Sequence, residues 1–289
     1  MRLGLSTPIV VQVPGVASDW ESGAGTEELS QIARAADELG YEYLTCSEHV
    51  GVPSSDAAGR GAIYFDPLAT LSFLAAQTRR IRLATAVLVL GYHHPLEIAK
   101  RYGTLDLLSG GRLVLGVGIG SLKSEFELLE AVWPRRAARA DDAIAALRAS
   151  LSSPDPRYDG PFFSFDGMTV RPHAVQTRVP IWVGGRSAAS LTRATRLADG
   201  WMPFGLSRRE IVSLLETTLL PTGFDVVLPT PPLDPEADSD SVRTILQSLR
   251  DAGATVVNCT VRARSAPHFC EQLARLADIG EAVPGRDPR

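Results

Sequence analysis

The chain has 289 residues, of which 45% are hydrophobic and 21% charged, and its formal net charge is −4. A chain of this length buries a large core without disulfides, and it lacks the concentrated Lys/Arg charge that nucleic-acid binding requires. The three cysteines (Cys46, Cys259 and Cys270) show no CxxC spacing, and no uncharged run reaches the roughly 18 residues of a membrane span. We therefore expect a cytoplasmic protein that binds no metal, no nucleic acid and no membrane.

Strand-like and helix-like segments alternate along the chain. Short apolar runs predict strands at residues 3–7, 41–46, 81–90, 113–117, 180–183, 200–203, 224–228 and 255–261. Helices are predicted between them, at residues 26–39, 66–78, 95–108, 124–150 with a break near Pro134, 188–197, from 207 onward, 240–252 and 267–279. Thr26 as a cap, Pro95 in a first turn and Gly110 at a stop agree with these helix ends.

The remaining segments differ in character. Residues 9–25 and 230–240 are predicted to be irregular loops, and the glycine-rich stretch 51–62 is predicted to be a mobile loop. Residues 152–179 are rich in proline and aromatic side chains, which indicates an insertion and not a linker. The tail, residues 281–289, lacks a periodic pattern and is expected to be disordered.

Eight strands that each precede a helix predict an α/β fold with a parallel sheet. At this length the first choice is a single domain over residues 1–289, a (β/α)8 TIM barrel with the insertion after strand four. The alternative is an open doubly wound sheet. A dinucleotide-binding version of that sheet needs GxGxxG directly after the first strand, where this chain has Ser6, Thr7 and Pro8.

The predicted barrel directs attention to the carboxyl ends of its strands, where ligands bind. Glu48 and His49 follow the second strand. A histidine there can donate a hydrogen bond or act as an acid or base near neutral pH. The alternative is that Glu48 and His49 merely pair with each other where the loop begins.

Two glycine-containing loops follow strands four and five. In residues 118–121, Gly118 and Gly120 allow a ligand to approach the backbone, and Ser121 and Ser124 are possible hydrogen-bond donors. The second loop, residues 184–187, opens a helix and consists of Gly184, Gly185, Arg186 and Ser187. Free N–H groups, the helix dipole and the arginine favour a phosphate there, although the same residues also suit a plain turn.

Other polar residues carry less specific signals. His93 and His94 are adjacent, so their side chains point apart, and we expect them to stack or line a pocket and not to chelate a metal. Glu48 and Glu125 could both face the barrel mouth, but the sequence sets no distance between them. No hydrolase motif and no HExxH occurs.

Three stretches together resemble the luciferase-like monooxygenase superfamily, and specifically its branch that uses the deazaflavin coenzyme F420. They are TAVLVLGYHHPLEIAKRYGTLDLLSGGRLVLGVGIG, ADELGYEYLTCSEHV and PIWVGGRSAASLTRATRLADGWMP. The resemblance covers roughly residues 1–205 and weakens over the last third. It implies a (β/α)8 barrel with an insertion after strand four, which agrees with the independent count of strands.

The resemblance also implies roles for individual residues. His49 and Glu48 match an acidic–histidine pair beside the reactive ring, so the resemblance implies that they are the catalytic residues, with His49 as the hydrogen-bonding or proton-transfer group. Ala86 and Val87 match a non-prolyl cis peptide that presses on the back of the ring. The remaining expected cofactor-binding residues are Ser6, Glu48, Gly118, Gly120, Ser121, Ser124, Gly184, Gly185, Arg186 and Ser187, the last four at the phosphate. Some sugar-phosphate dehydrogenases of the superfamily have a catalytic glutamate where this chain has Ser121, which argues against carrying over their substrate.

Three functional hypotheses follow. The first is an F420-dependent oxidoreductase that transfers a hydride between the deazaflavin and a small organic substrate, with the protein supplying orientation. The second is a monooxygenase that uses reduced FMN and O2. The third is a cofactor-binding barrel without turnover, since His49 stands without a strong acid/base constellation. The resemblance also suggests a homodimer.

Overall fold

Eight parallel strands close into a barrel in the computed structural model of the protein, which describes residues 1–283. The strands are β1 (Arg2–Leu5), β2 (Tyr43–Cys46), β3 (Arg82–Thr85), β4 (Leu113–Gly118), β5 (Ile181–Gly185), β6 (Gly200–Pro203), β7 (Asp225–Leu233) and β8 (Val256–Val261). Strand β1 pairs with β8 and β2, and β4 pairs with β3 and β5, so the sheet closes on itself. The predicted (β/α)8 barrel is confirmed.

One long helix follows each strand on the outside of the barrel. The helices are α1 (Thr26–Glu38), α2 (Pro67–Gln77), α3 (Pro95–Ser109), α4 (Arg136–Ser150), α5 (Ala188–Leu197), α6 (Arg208–Glu216), α7 (Ser239–Asp251) and α8 (Ala266–Glu281). Local signals set their ends: Asp66 accepts a hydrogen bond from the Ala69 N–H (2.7 Å) before α2, and Gly110 ends α3 at φ 72°. No helix within residues 1–283 is long and apolar enough to cross a membrane.

The inside of the barrel is filled by side chains from strands β2 to β8. This inner cluster consists of Tyr43, Ala84, Val114, Trp182, Met202, Val227 and Val256, with Ala86 and Val87 packed against it. Tyr43 and Trp182 meet edge to face with ring centroids 5.3 Å apart. Because this packing closes the interior, ligands are confined to the mouth at the carboxyl ends of the strands.

The third predicted strand is interrupted. Residues 81–90 were expected to form one strand, but β3 ends at Thr85 and a short strand, Leu88–Val89, pairs separately with Val117 and Gly118 of β4. The peptide bond between them, Ala86–Val87, is cis, as the family resemblance predicted. The run 81–90 is mostly apolar and carries no local sequence signal for this break.

Several predicted loops contain structure. Strand β7 runs on to Leu233 instead of ending at residue 228, because its prolines occupy a register shift between Pro229 and Pro232 where ladder hydrogen bonds are missing. Val11–Gln12, in the predicted loop 9–25, pairs as an antiparallel strand with Ile63–Tyr64, which directly follows the predicted loop 51–62. Within that second loop, Ala57–Arg60 forms one helical turn. Such two-residue strands depend on their partner and not on their own sequence.

The insertion packs against α4. It contains the hairpin Tyr158–Asp159 and Ser164–Phe165, and Asp142 of α4 accepts hydrogen bonds from the backbone N–H groups of Phe162 and Phe163 (both 2.9 Å). At the other end of the chain, α8 continues to Glu281 and Val283 is buried, whereas residues 284–289 of the predicted disordered tail lie outside the described residues.

Candidate active site

The predicted site residues lie along one arc of the barrel mouth. Ser6, Glu48–His49, the Ala86–Val87 bond, residues 118–121 and residues 184–187 stand at the carboxyl ends of β1 to β5, which are consecutive neighbours in the sheet. Parallel strands bring these ends together, so residues that are far apart in the sequence share one surface. The arc is therefore the candidate active site.

His49 is paired with Glu125 of the short helix Lys123–Leu128. The distance from His49 Nδ1 to Glu125 Oε2 is 2.8 Å, and the two side chains are 19% and 1% exposed. The other carboxylate oxygen accepts hydrogen bonds from the backbone N–H groups of Val50 (2.8 Å) and Gly51 (3.3 Å). Because a carboxylate only accepts, the proton of the neutral imidazole is held on Nδ1, and Nε2 is left with a free lone pair.

Glu48 and His49 are adjacent, but they do not pair with each other. Glu48 Oε1 lies 2.7 Å from His93 Nε2, and Oε2 accepts a hydrogen bond from the Val89 N–H (2.6 Å). Glu48 is 8% exposed and both of its oxygens are occupied. This geometry favours a positioning role for Glu48 over direct contact with a ligand.

The ionisation of the two pairs follows from their surroundings. Burial alone would raise the pKa of Glu125, but its hydrogen bonds with His49, Tyr92 and Gly51 hold the pKa below its ordinary value of 4.5. Burial would lower the pKa of His93, whereas the hydrogen bond and charge of Glu48 raise it above 6.5. Burial and Glu125 together raise the pKa of Tyr92, so its hydroxyl remains a donor to Glu125 (2.9 Å).

The Ala86–Val87 bond forms the floor of the arc and is fixed on both sides. The hydroxyl of Ser47 donates a hydrogen bond to the Ala86 carbonyl (2.7 Å), and the Glu48 N–H donates one to the Val87 carbonyl (3.3 Å). A Cβ at Gly118 would lie 2.7 Å from Val87 Cγ2, and one at Gly184 would lie 2.8 Å from Val87 Cγ1. These two glycines therefore make room for the valine of the cis bond.

The loop after β5 presents one free cation. Arg186 is exposed, and within residues 1–283 it has no carboxylate partner. Ser187 caps α5 by accepting a hydrogen bond from the Ser190 N–H (3.4 Å), and Ser190 receives a hydrogen bond from Trp201 Nε1 (3.1 Å). At the predicted anion site the Arg186 side chain is therefore available to bind an anion, whereas one N–H group at the N-terminus of α5 is already hydrogen-bonded.

The other predicted residues vary in exposure. Ser121 and Ser124 are exposed beside the fourth strand, and the Ser6 hydroxyl accepts a hydrogen bond from Asn258 Nδ2 (2.8 Å). Gly120 has φ 79°, and a Cβ there would lie 2.5 Å from the Phe126 ring. Glycine is therefore required at position 120 by the backbone and by its neighbour alike.

Sequence reasoning missed two members of the site, Tyr92 and the ion pair of His93. His94 behaves as expected, because its ring meets Phe163 at 5.5 Å and its Nδ1 accepts a hydrogen bond from the Leu96 N–H at 3.2 Å. His93 instead pairs with Glu48, 45 residues earlier in the chain. Only the tertiary fold brings these two together. Within the described residues, no group of three or more His, Cys, Asp or Glu side chains is arranged to hold a metal ion.

Comparisons with known proteins bear on the family and the fold of the chain. The family model described as luciferase-like monooxygenase matches residues 1–217. An uncharacterised protein of Mycobacterium tuberculosis is 31% identical over 262 residues, which cover 85% of this chain and 91% of that protein. The F420-dependent glucose-6-phosphate dehydrogenase of Nakamurella multipartita is 31% identical over 201 residues, covering 68% of this chain and 57% of that enzyme.

A solved structure gives the same fold. The monooxygenase RslO1 from Streptomyces bottropensis superposes with a TM-score of 0.77 and 23% sequence identity, covering 96% of this chain and 98% of that chain. At this level of identity the likeness concerns the architecture of the barrel.

Proposed function

Because the chain belongs to the luciferase-like monooxygenase family, we propose that it is an oxidoreductase that binds coenzyme F420 in the barrel mouth and acts on a small organic substrate. The observation that carries the proposal is His49, which is held by Glu125 and whose Nε2 has no hydrogen-bond partner within residues 1–283. His49 follows Glu48, whose N–H donates to the carbonyl of Val87 in the cis bond. The coenzyme would supply hydride transfer at C5 of the deazaflavin. The protein supplies binding, orientation and proton handling.

His49 Nε2 is the group available to accept or donate a proton. Glu125 fixes the ring orientation and the tautomer, and it stabilises the imidazolium that forms when Nε2 takes up a proton. The side chain of Glu125 is 1% exposed, so its charge acts with little screening by water. We infer that His49 is the catalytic residue and that Glu125 and Glu48 are positioning residues.

The residues at the mouth fit a flavin-type coenzyme. Ala86 and Val87 are half-buried and apolar, as suits the face of a planar ring. Arg186, which has no carboxylate partner among the described residues, suits a phosphate. Ser6, Gly118, Gly120, Ser121 and Ser124 surround the same floor and remain predicted contacts of the coenzyme. Deazaflavin and FMN both combine a planar ring with a phosphate, so this donor set accepts either.

A monooxygenase that uses reduced FMN is the second candidate. It is favoured by the relative named 4-hydroxyprotoasukamycin monooxygenase of Streptomyces nodosus subsp. asukaensis, which is 42% identical over 120 residues, covering 40% of this chain and 30% of that enzyme. F420 is preferred here because the Nakamurella relative, named as F420-dependent, matches a longer part of this chain, 68%, at 31% identity. The third hypothesis, a barrel without turnover, rested on His49 standing alone, and the contacts of His49 with Glu125 and of Glu125 with Tyr92 remove that basis.

Titration of the purified protein with F420 and, separately, with FMN tests the choice of coenzyme. Fluorescence quenching that saturates with F420 and not with FMN supports the first candidate. Tight binding of reduced FMN together with O2 uptake supports the second and contradicts the first. Binding of neither coenzyme would contradict both.

Two substitutions test the roles of individual residues. His49→Ala should reduce turnover far more than coenzyme affinity, and an equal loss of both would leave only a binding role. Arg186→Ala should weaken F420 about tenfold, the effect of one charged hydrogen bond, and should spare a deazaflavin analogue without phosphate. Arg157→Ala, at an exposed arginine of the insertion, is the matched control.

A further inference from the structure

Three arginines gather at the start of α4, and Arg135, Arg136 and Arg139 are called the arginine cluster below. Their guanidinium groups stand over aromatic rings. The Arg136 group lies 3.6 Å from the ring centroid of Trp133, the Arg135 group 4.7 Å from that of Phe162, and the Arg139 group 5.0 Å from that of Phe163. A guanidinium that stacks by its face keeps the N–H groups on its edge free for other partners.

The arginine cluster has no acidic partner among residues 1–283, where no carboxylate oxygen lies within 4.0 Å of its nitrogens. The nearest acids in α4 are engaged elsewhere: Asp141 pairs with Arg193 and Arg196, and Asp142 accepts hydrogen bonds from the insertion. The N-terminus of α4 adds to the positive electrostatic potential, because the side chain of its N-cap residue, Arg135, accepts no hydrogen bond from the N–H groups of the first turn.

The arginine cluster adjoins the candidate active site. Arg136 Nε donates a hydrogen bond to the carbonyl of Gly120 (3.4 Å), in the loop after β4. Trp133 packs against Phe126 at 5.0 Å, and Phe126 packs against Tyr92 at 5.0 Å. Tyr92 is the residue that donates to Glu125, so a continuous chain of packed rings connects the arginine cluster to the His49 network.

We propose that the arginine cluster is an anion-binding subsite at the rim of the mouth, which takes a carboxylate or phosphate group of a ligand whose reactive part lies near His49. The identity of that ligand rests on the proposed function. Arginine suits such groups because its planar fork can bind two oxygens at once. The anion belongs either to an acidic substrate or to the acidic side chain of the coenzyme, and it is separate from the phosphate assigned to Arg186.

Calorimetric titration with citrate and with inorganic phosphate tests the subsite without any assumption about the coenzyme. Wild type should bind citrate with an affinity that falls as salt is added, and Arg136→Gln/Arg139→Gln should bind it at least tenfold more weakly. Arg157→Gln removes one positive charge from the insertion, where Arg157 already pairs with Asp166, and should bind as wild type does. Equal binding by all three proteins, or no binding to wild type, would overturn the proposal.

Arg139 also packs on the insertion, so a loss of fold is tested separately. Arg139→Lys keeps the charge but lacks the planar fork, and it should retain weakened citrate binding with an unchanged thermal unfolding temperature. If Arg139→Gln fails to fold, the single variants Arg135→Gln and Arg136→Gln carry the same comparison.

Coenzyme titrations separate the two sources of the anion. If the double variant binds F420 more weakly but binds the deazaflavin fragment without phosphate and side chain as wild type does, the coenzyme supplies the anion. If F420 affinity is unchanged while citrate still binds to the F420-loaded wild type, an acidic substrate supplies it. If wild type binds neither F420 nor FMN, the proposed function fails, and the citrate titration still decides whether the subsite exists.

Discussion

The substitution Glu125→Gln tests the central geometry of the site. The Glu125 carboxylate accepts four hydrogen bonds, from His49 Nδ1, the Tyr92 hydroxyl and the backbone N–H groups of Val50 and Gly51. A glutamine offers one carbonyl oxygen and one NH2 group. In either orientation of the amide, its NH2 group takes the place of a carboxylate oxygen. The donors that bonded to that oxygen then face another donor and lose their acceptor.

The expected loss of stability follows from the number of hydrogen bonds that lose their acceptor. At least one charge-assisted hydrogen bond is lost in a site that is 1% exposed, which we expect to cost about 1.5–3 kcal/mol of unfolding free energy. For a domain of this size each kcal/mol lowers the unfolding temperature by roughly 2–4 °C. If the NH2 group turns to His49, the proton moves to Nε2 of the neutral ring, so proton transfer to Nε2 is blocked and we expect kcat to fall about a hundredfold.

The assay is a thermal unfolding scan together with steady-state kinetics, with Glu127→Gln as control. Glu127 lies on the same short helix, is 64% exposed and pairs only with Lys123 at the surface. Because the pKa of Glu125 is below its ordinary value of 4.5, its contribution to stability is present above pH 4.5 and is lost as the pH falls through the lowered value. Equal stability and equal kcat for the two variants would refute the reasoning.

Two further substitutions test the floor of the site. His93→Gln should destabilise the protein at pH 6 and less so as the pH rises above 6.5, because Glu48 raises the pKa of His93 and the stabilisation disappears as that imidazole loses its proton; a pH-independent loss in urea unfolding would contradict this. Gly118→Ala should lower the free energy of unfolding by about 1–3 kcal/mol, because the new Cβ overlaps Val87. Adding Val87→Ala should restore part of that loss in the double variant. Gly23→Ala should leave stability unchanged, because no atom lies within 4 Å of a Cβ there.

The alternation of strands and helices was readable from the sequence because it depends on local patterns. Pro67 and Gly110, for example, mark helix ends through the φ angles and hydrogen bonds of their own backbone. The extension of β7 through Pro232 was not readable, because proline is tolerated there only where the neighbouring strand leaves a register shift.

The features of the candidate site also divide into those with a local sequence signal and those that depend on tertiary contacts. His49 was predicted because it directly follows a strand, which is a local property. Its partner Glu125 was seen only as a carboxylate near the mouth, since the 2.8 Å contact depends on how the helix after β4 folds back. Gly118 and Gly184 were assigned to a ligand, whereas the close atoms that require glycine belong to Val87. The sequence indicates where space is needed and not which group occupies it.

The two acid–histidine pairs divide two tasks between adjacent residues. Glu48 holds the backbone on the C-terminal side of the cis bond, since its N–H donates to the Val87 carbonyl and its carboxylate accepts from the Val89 N–H. His49 is the next residue and has no hydrogen-bond partner at Nε2 within residues 1–283. The residue that holds the surface proposed to support the coenzyme ring and the residue proposed to move a proton are therefore adjacent in the chain. A change at Glu48 should disturb both tasks, whereas a change at Glu125 should disturb proton transfer and leave coenzyme binding intact.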